Sequence, residues 1–547
     1  METFNLIFRE NLYEHGLNQM EIEQRQHSKK LLRKALRTCV FGDKNAKIFV
    51  KDYIKDILIK RHKVNQENID SILSFSNPNK LTAQDKFDIL LLIYQKEHQE
   101  RALDQLIQDY NLDAEKGDSL GEFHFEITEE DINQAYEENA FMNLSFNDKL
   151  SILAQRIYQN YKGNGVIDEI RDMKIDGVSA GVSGIPEDFE LDSILTSRVL
   201  PASYDSIWIF YRGKSIHLSF LSFGSYKELI RVCKNIYRYN NPGQLSEVKG
   251  YTVNEMKDGS RVAVARPPFS ESWVLFVRKF DTVLQEKITM LITDTNQELP
   301  IQLMKWLIKG CRVIGITGEQ GSGKTTLLMS LIQFINPIYN LRIQELSFEL
   351  HLRTIYPYRN IVTFRETNSI SGQEGLDFQK KTDGTVNILG EVATAPVACW
   401  MIQMSQVGSL FTMFTHHAKT TKDLIISMRN ALLLEGGFHN ERIATEQVAD
   451  AIHFDIHIKK MENGHRFIER ITEIIPKKQG VFERVYGSGG DLTKELFETR
   501  DIIAFENGRY VFCNSMSKQT ISQICSYFDD KEREKFRCDM EAWRNYS

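Results

Sequence analysis

Gly318-Glu319-Gln320-Gly321-Ser322-Gly323-Lys324-Thr325-Thr326 lies between an apolar run, Val313-Ile314-Gly315-Ile316, and a helix-forming run, Leu327-Leu328-Met329-Ser330-Leu331-Ile332. The order is strand, glycine-rich turn, helix. Gly318, Gly323, Lys324 and Thr325 fill the pattern G-x-x-x-x-G-K-[ST], and each position has a physical task. Glycines let consecutive N–H groups turn inward around phosphate oxygens, and the start of the helix adds partial positive charge. Lys324 is placed to reach the outer two phosphates, and the Thr325 hydroxyl to ligate the accompanying Mg²⁺. The stretch from Gly318 to Thr326 is expected to bind a nucleoside triphosphate.

Around this stretch the chain of 547 residues is long enough for about three to four domains. With 42% hydrophobic and 26% charged residues it has the composition of an ordinary globular protein able to bury a core. A net charge of −6 leaves no bulk basic surface to attract nucleic acid, so no direct nucleic-acid partner is expected, although a local basic groove stays open. Seven cysteines are scattered and never spaced C-x-x-C, which argues against a disulfide framework or a zinc module and fits a reducing cytoplasm. The N-terminus from Met1 to Glu10 lacks the apolar core of a secretory signal. No run approaches the roughly 18–20 apolar residues that span a bilayer, so membrane contact is expected only through partners.

Residues 1–160 read as a helical N-terminal region without visible chemistry, an adaptor or docking region. Thr82 is the expected cap of an amphipathic helix through Leu90, and the basic run Gln24 to Lys34 a solvated face. Residues 165–280 read as an α+β domain: a hairpin of Ile207–Tyr211 and Ile216–Phe220 about Arg212-Gly213, a helix from Tyr226 to Tyr237, and a last strand from Trp273 to Lys279. Polar residues with Pro300 make 281–299 the expected linker. Residues 300–480 alternate strands (Cys311–Thr317, Asn340–Glu345, Asn360–Phe364, Thr385–Leu389, Ser409–Thr415) with helices (Thr325–Phe334, Pro396–Gln406, Thr421–Leu434), which argues an α/β domain with a largely parallel sheet. Asp455–Lys460 and Phe467–Ile475 read as a closing hairpin about Asn463-Gly464. Residues 481–547 read as a C-terminal extension with a strand pair about Asn507-Gly508 and a charged final helix, Asp529 to Arg544.

Hydrolysis needs a metal shell and a polarised water besides a phosphate cradle. Ile388-Leu389-Gly390-Glu391 ends an apolar strand, and the C-terminal ends of such strands are where α/β sheets bind ligands. Glu391 there acts either on the Mg²⁺ shell through water or on the attacking water. Glu345-Leu346-Ser347-Phe348-Glu349 offers a second carboxylate, Glu345, after the preceding strand. Thr415-His416-His417-Ala418 ends a third strand, and a histidine there suits a sensor of phosphate or of domain position.

In chain order, the glycine loop, the Glu345–Glu349 segment, Ile388–Glu391 and Gly408-Ser409-Leu410 through Thr415-His416-His417-Ala418 form a series that resembles the secretion ATPases of type II and type IV systems. Within them the CpaF-like branch of Tad pilus assembly is closest in pattern, with Gly259-Ser260-Arg261-Val262 and Val277-Arg278-Lys279-Phe280 similar to its preceding domain. The resemblance spans about 200 to 475. It implies a RecA-like P-loop core preceded by a PAS-like α+β domain, ATP and Mg²⁺ as cofactors, a homo-hexamer, and an inner-membrane platform protein as partner. It places a catalytic carboxylate at Glu345, a second at Glu391 and the box histidine at His417. Arg261 and Arg278 fall where the family's arginines meet nucleotide phosphates across a domain or subunit boundary. Leu346 and Ala393 depart from the usual Asp and Arg, which implies slow turnover or a different placement of accessory groups. Two other readings stay open: a conjugative DNA-transfer motor of the same superfamily, and a nucleotide-dependent switch with little turnover.

Overall fold

The computed structural model describes residues 19–117, 123–139, 144–186, 201–240, 243–279, 288–345, 348–367, 370–436, 439–461, 464–477 and 496–546. Met1–Glu10, Phe280, Leu346 and Asn463, on which expectations were placed, lie outside the described residues. The chain forms two compact units, Met1–Asp281 and Thr282–Ser547.

In the first unit, helices pack beside a mixed sheet of β1 (Glu115–Gly117), β2 (Phe123–Ile127), β3 (Gly177–Ala180), β4 (Ile207–Tyr211), β5 (Lys214–Leu218), β6 (Tyr251–Glu255), β7 (Arg261–Ala265) and β8 (Val274–Arg278). Their order is β1-β2-β5-β4-β3-β8-β7-β6. The helix Ala83–His98 begins where the sequence indicates: Thr82 accepts from the Asp85 amide, and the Asp85 carboxylate accepts from the Thr82 amide. The hairpin β4–β5 turns on Arg212 and Gly213, both at positive φ, as a two-residue turn requires. Alternation puts Ile207, Ile209, Val262, Val264, Leu275 and Val277 on one buried face, against Leu229, Val232 and Ile236 of helix Tyr226–Ile236. Residues 1–160, read as a helical region, also supply β1 and β2, and their capped helix Glu129–Glu138 buries Ile132 and Ala135.

The second unit is built on a nine-stranded sheet. Its strands are β9 (Ile314–Gly318), β10 (Leu341–Glu345), β11 (Ile361–Arg365), β12 (Val386–Leu389), β13 (Phe411–His416), β14 (Phe454–Lys460), β15 (Arg466–Pro476), β16 (Phe497–Glu506) and β17 (Arg509–Phe512). They lie in the order β11-β10-β12-β13-β9-β14-β15-β16-β17. The six strands from β11 to β14 are parallel and the rest antiparallel. Near-continuous apolar strands with helices between them are what a sheet buried on both faces demands. The α/β expectation with a largely parallel core sheet holds among the described residues. Asn507 and Gly508, both at positive φ, turn β16 into β17.

From residue 288 onward the segment read as linker carries the helix Ile288–Leu291, and Pro300 lies in the first turn of a buried helix, Glu298–Lys309. Proline is tolerated there because first-turn N–H groups have no intrahelical partner. The helices Lys518–Cys525 and Asp530–Trp543 cover that element, with Phe528 and Phe536 against Trp306 and Ile524 against Gly310.

Candidate nucleotide site

β9 delivers the chain into the glycine loop at the C-terminal edge of the parallel sheet, and the helix Lys324–Leu331 leaves it. Gly318, Gly321 and Gly323 have φ of +147°, +73° and +99°. At Gly318 a Cβ would lie 2.3 Å from the Ile458 carbonyl oxygen of β14, so a side chain is excluded by sterics as well as by conformation. Ser322 is buried, and its hydroxyl has no hydrogen-bond partner among the described residues. Lys324 is 7% exposed, and its ammonium donates to the carbonyls of Gly318 (3.0 Å) and Glu319 (2.8 Å). A lysine folded back over its own loop, a spare buried hydroxyl and three glycines at positive φ make a cradle that fits a phosphate chain. Thr325 and Thr326 follow in the first helical turn.

Lys324 also donates to His417 Nδ1 at 3.3 Å, and His417 Nε2 lies 3.2 Å from Glu391 Oε1. A lysine ammonium only donates, so His417 accepts through Nδ1 and gives its proton through Nε2 to the carboxylate. Lys324 opens the helix that follows β9 and its loop, while His417 and Glu391 lie just past the ends of β13 and β12, the next two strands of the sheet. Strand spacing puts the β12 end about 10 Å from β9, and His417 fills that interval. The Glu391 backbone is pinned on both sides. The Thr415 hydroxyl donates to the Gly390 carbonyl at 2.5 Å, and the Val392 amide donates to the Thr415 carbonyl. His416 donates from Nδ1 to the Val392 carbonyl at 2.8 Å and accepts from Ser427 at Nε2; burial depresses its pKa. Of the two adjacent histidines, His416 positions the loop and His417 faces the lysine.

Glu345 ends β10, a further strand away and about 14 Å from β9 by strand spacing. It is buried, and its Oε1 accepts from the amides of Glu349 (3.0 Å) and Leu350 (2.8 Å). Its Cγ would be 3.1 Å from a Cβ on Gly390, so the two acidic segments do abut. Arg261 and Arg278 are direct cross-strand partners on β7 and β8 of the first unit, away from its buried face.

No family model matches the chain, and no curated protein matches it. Solved structures do. The chain is similar to the VirB11 ATPase from the Brucella suis type IV secretion system in complex with sulphate, at 18% identity over 55% of this chain and 89% of that one, with a TM-score of 0.29. It is similar to the Legionella pneumophila ATPase DotB, at 15% identity over 55% of this chain and 76% of that one, with a TM-score of 0.37. The third is the pilus retraction motor PilT with bound ADP, at 14% identity over 69% of this chain and 88% of that one, with a TM-score of 0.39.

Beneath the loop lies a buried cluster that motif spacing missed. The Thr317 hydroxyl donates to Asp455 Oδ1 at 2.5 Å, and the Thr421 hydroxyl to Oδ2 at 2.6 Å. Thr317 spends its proton on Asp455, so the 2.9 Å contact with His457 Nδ1 has the ring donating. Asp455 is fully buried and its pKa is raised by that burial, while burial, with Arg470 nearby, pushes His457 down to about 4. The cluster ties the last residue before the loop to β14 and to the first turn of helix Thr421–Leu434, four residues beyond His417.

Proposed function

We propose that this chain hydrolyses ATP with Mg²⁺ and couples the reaction to mechanical work on a membrane platform, in pilus assembly or protein secretion. The observation that supports this most directly is the contact series Lys324–His417–Glu391, from the start of the loop's helix to the ends of β13 and β12, because it joins the lysine of the glycine loop to a carboxylate through an adjustable ring. Bound ATP and Mg²⁺ supply the anhydride to be cleaved and the charge that neutralises its oxygens. Gly318, Glu319, Gln320, Gly321, Ser322 and Gly323 offer the cradle, with Thr326 in the first turn of the helix behind it. Lys324 holds the outer phosphates and Thr325 the metal. Glu391 holds the metal shell through water or orients the attacking water, and Glu345 supports the same acidic edge. By the resemblance, Arg261 and Arg278 add phosphate contacts from the domain spanning 165–280, the working form is a homo-hexamer, and an inner-membrane platform protein receives the motion. The helical 1–160 region and the 481–547 extension belong to the same machine, the first as adaptor.

Lys324→Ala tests the reading. Steady-state ATP turnover of the full chain should fall by about 10²- to 10³-fold, the scale of losing one electrostatic contact at the reacting group. Turnover equal to the unmodified chain would sink the proposal. One observation favours the low-turnover switch as second reading: Glu345 spends Oε1 on amides of its own loop. Tight nucleotide binding with less than one turnover per chain would select it.

A further inference from the structure

The hairpin β14–β15 returns over the glycine loop from 140 residues away and brings a cation with it. Arg466, the first residue of β15, donates from Nε to the carbonyl of Gly321 at 3.0 Å, and its Cδ would lie 3.5 Å from a Cβ on Gly323. Its placement is not that of a wandering surface arginine. Side chains alternate along a strand, and the neighbours on either side, His465 and Phe467, stack on each other and on the other face meet Phe505. The Phe467 and Phe505 rings are 4.3 Å apart, and the Ile468 amide donates to the buried Tyr510 hydroxyl. Arg466 therefore projects toward the loop from an anchored strand. The register of β14 on β9 pairs Ile458 with Gly318, which fixes the height of the hairpin over the loop.

The surrounding charges are spent elsewhere. Asp294 faces His465 at 3.0 Å, and Glu469 faces Lys459 at 3.0 Å and Arg470 at 2.5 Å. Among the described residues Arg466 has no carboxylate within ion-pair distance. It stands exposed, tethered through Nε to the Gly321 carbonyl, with its Cδ beside Gly323. Lys324 likewise donates to carbonyls of this loop. Two cations on one loop whose glycines Gly318, Gly321 and Gly323 stand at positive φ are arranged for an anion with several oxygens.

We propose that Arg466 is a phosphate-contacting residue acting on the loop of its own chain, its guanidinium binding the polyphosphate of the nucleotide that Gly318–Thr326 holds. This rests on the nucleotide reading above and adds to it a second cation, supplied within the chain and distinct from Arg261 and Arg278. A planar donor fork suits two phosphate oxygens at once in a way that a lysine does not reproduce.

The test measures binding of ADP and of a non-hydrolysable ATP analogue, with ATP turnover, for the full chain and for Arg466→Ala, Arg466→Lys, Arg466→Gln and Lys324→Ala. Arg466→Ala should weaken the analogue by about 10- to 100-fold and ADP by less, with Arg466→Lys between, the pattern of a charge-assisted contact that grows with phosphate count. Equal weakening of both nucleotides would assign Arg466 to holding the loop through Gly321 and overturn the proposal. So would unchanged affinity and turnover in Arg466→Ala while Lys324→Ala is inactive. Full turnover in Lys324→Ala would instead remove the nucleotide reading itself. If Arg466→Ala melts early, Arg466→Gln, which keeps a donor for the Gly321 carbonyl without the charge, gives the same comparison.

Discussion

His417 Nε2 lies 3.2 Å from Glu391 Oε1 while Nδ1 of the same ring accepts from Lys324 at 3.3 Å, so one imidazole spans the gap between the lysine of the glycine loop and the acidic residue past β12. The pair is half-exposed, so its contribution to stability is small; its worth lies in where it aims the carboxylate. Glu391→Gln keeps the shape and removes the charge. Turnover should fall by about 10²- to 10⁴-fold, the range for loss of a general base or water-orienting group. Nucleotide affinity measured by titration should stay within a few-fold. A loss of affinity equal to the loss of rate would place Glu391 in binding alone.

Asp455 joins Thr317 and Thr421 with both oxygens, which predicts a large stability cost when either side is cut. Asp455→Ala leaves the hydroxyl protons of Thr317 and Thr421 without their acceptor, and Thr317→Val leaves a carboxylate oxygen and the His457 N–H unpaired. About 1–3 kcal/mol per orphaned group follows from the desolvation penalty. Thermal unfolding of the full chain should show the transition of the second unit moving down in both variants and the first unit's transition unmoved. Equal melting of all three chains would show that the cluster carries no net stability.

What local chemistry encodes was legible in the sequence, and what distant pairing encodes was not. Thr82 with Asp85, Arg212-Gly213, Asn507-Gly508 and the glycine loop each act within four or so residues, so spacing alone identifies them. Glu391 and His417 were legible one at a time, as polar residues ending apolar strands. That they meet depends on β12 and β13 being adjacent, a tertiary fact. Arg466 and Asp455 were invisible because they come to the loop through the pairing of β14 with β9. Pro300 was ambiguous for a definite reason: proline marks both linkers and first helical turns, and the buried Leu299, Leu303 and Leu307 that decide for a helix from Glu298 read so only once the first turn is allowed to contain it.

Two histidines, the buried His457 and the part-buried His453, give the second unit a directional response to pH. Burial, with Arg312 nearby, pushes His453 down to about 3, and His457 stands at about 4. His453 accepts from the Val313 amide through Nδ1, a bond that protonation abolishes. Both folded values lie below the unfolded value of about 6.5. Their contribution is therefore complete above that pH and is lost as pH falls toward 4, as the unfolded chain takes up protons that the folded chain refuses. At pH 5 each histidine costs about 2 kcal/mol by this linkage. Asp455 acts in the opposite sense: its raised pKa gives stability that is present in acid and lost as pH rises through the folded value. Melting curves between pH 5 and 8 should rise with pH, and His457→Gln should flatten the rise. An unchanged slope in that variant would remove His457 from the response.

The helices after residue 517 should prove inseparable from the core that carries the glycine loop. Phe536 is fully buried with its ring 5.5 Å from Trp306, the Trp306 indole donates to Asp539 at 2.9 Å, and Trp543 donates to Gln302 at 3.1 Å. Trp306 sits on the helix that leads into β9, so loosening this contact loosens the approach to the loop. Phe536→Ala should cost about 3–5 kcal/mol, the usual range for emptying a packed aromatic site. Lys531→Ala, on the exposed side of the same helix, should change stability by no more than about 0.5 kcal/mol. Denaturant unfolding of the two variants side by side decides the point. If Phe536→Ala behaves like Lys531→Ala, the terminal helices are an appendage; if it lowers the midpoint and weakens nucleotide binding with it, they are part of the scaffold that holds the glycine loop in place.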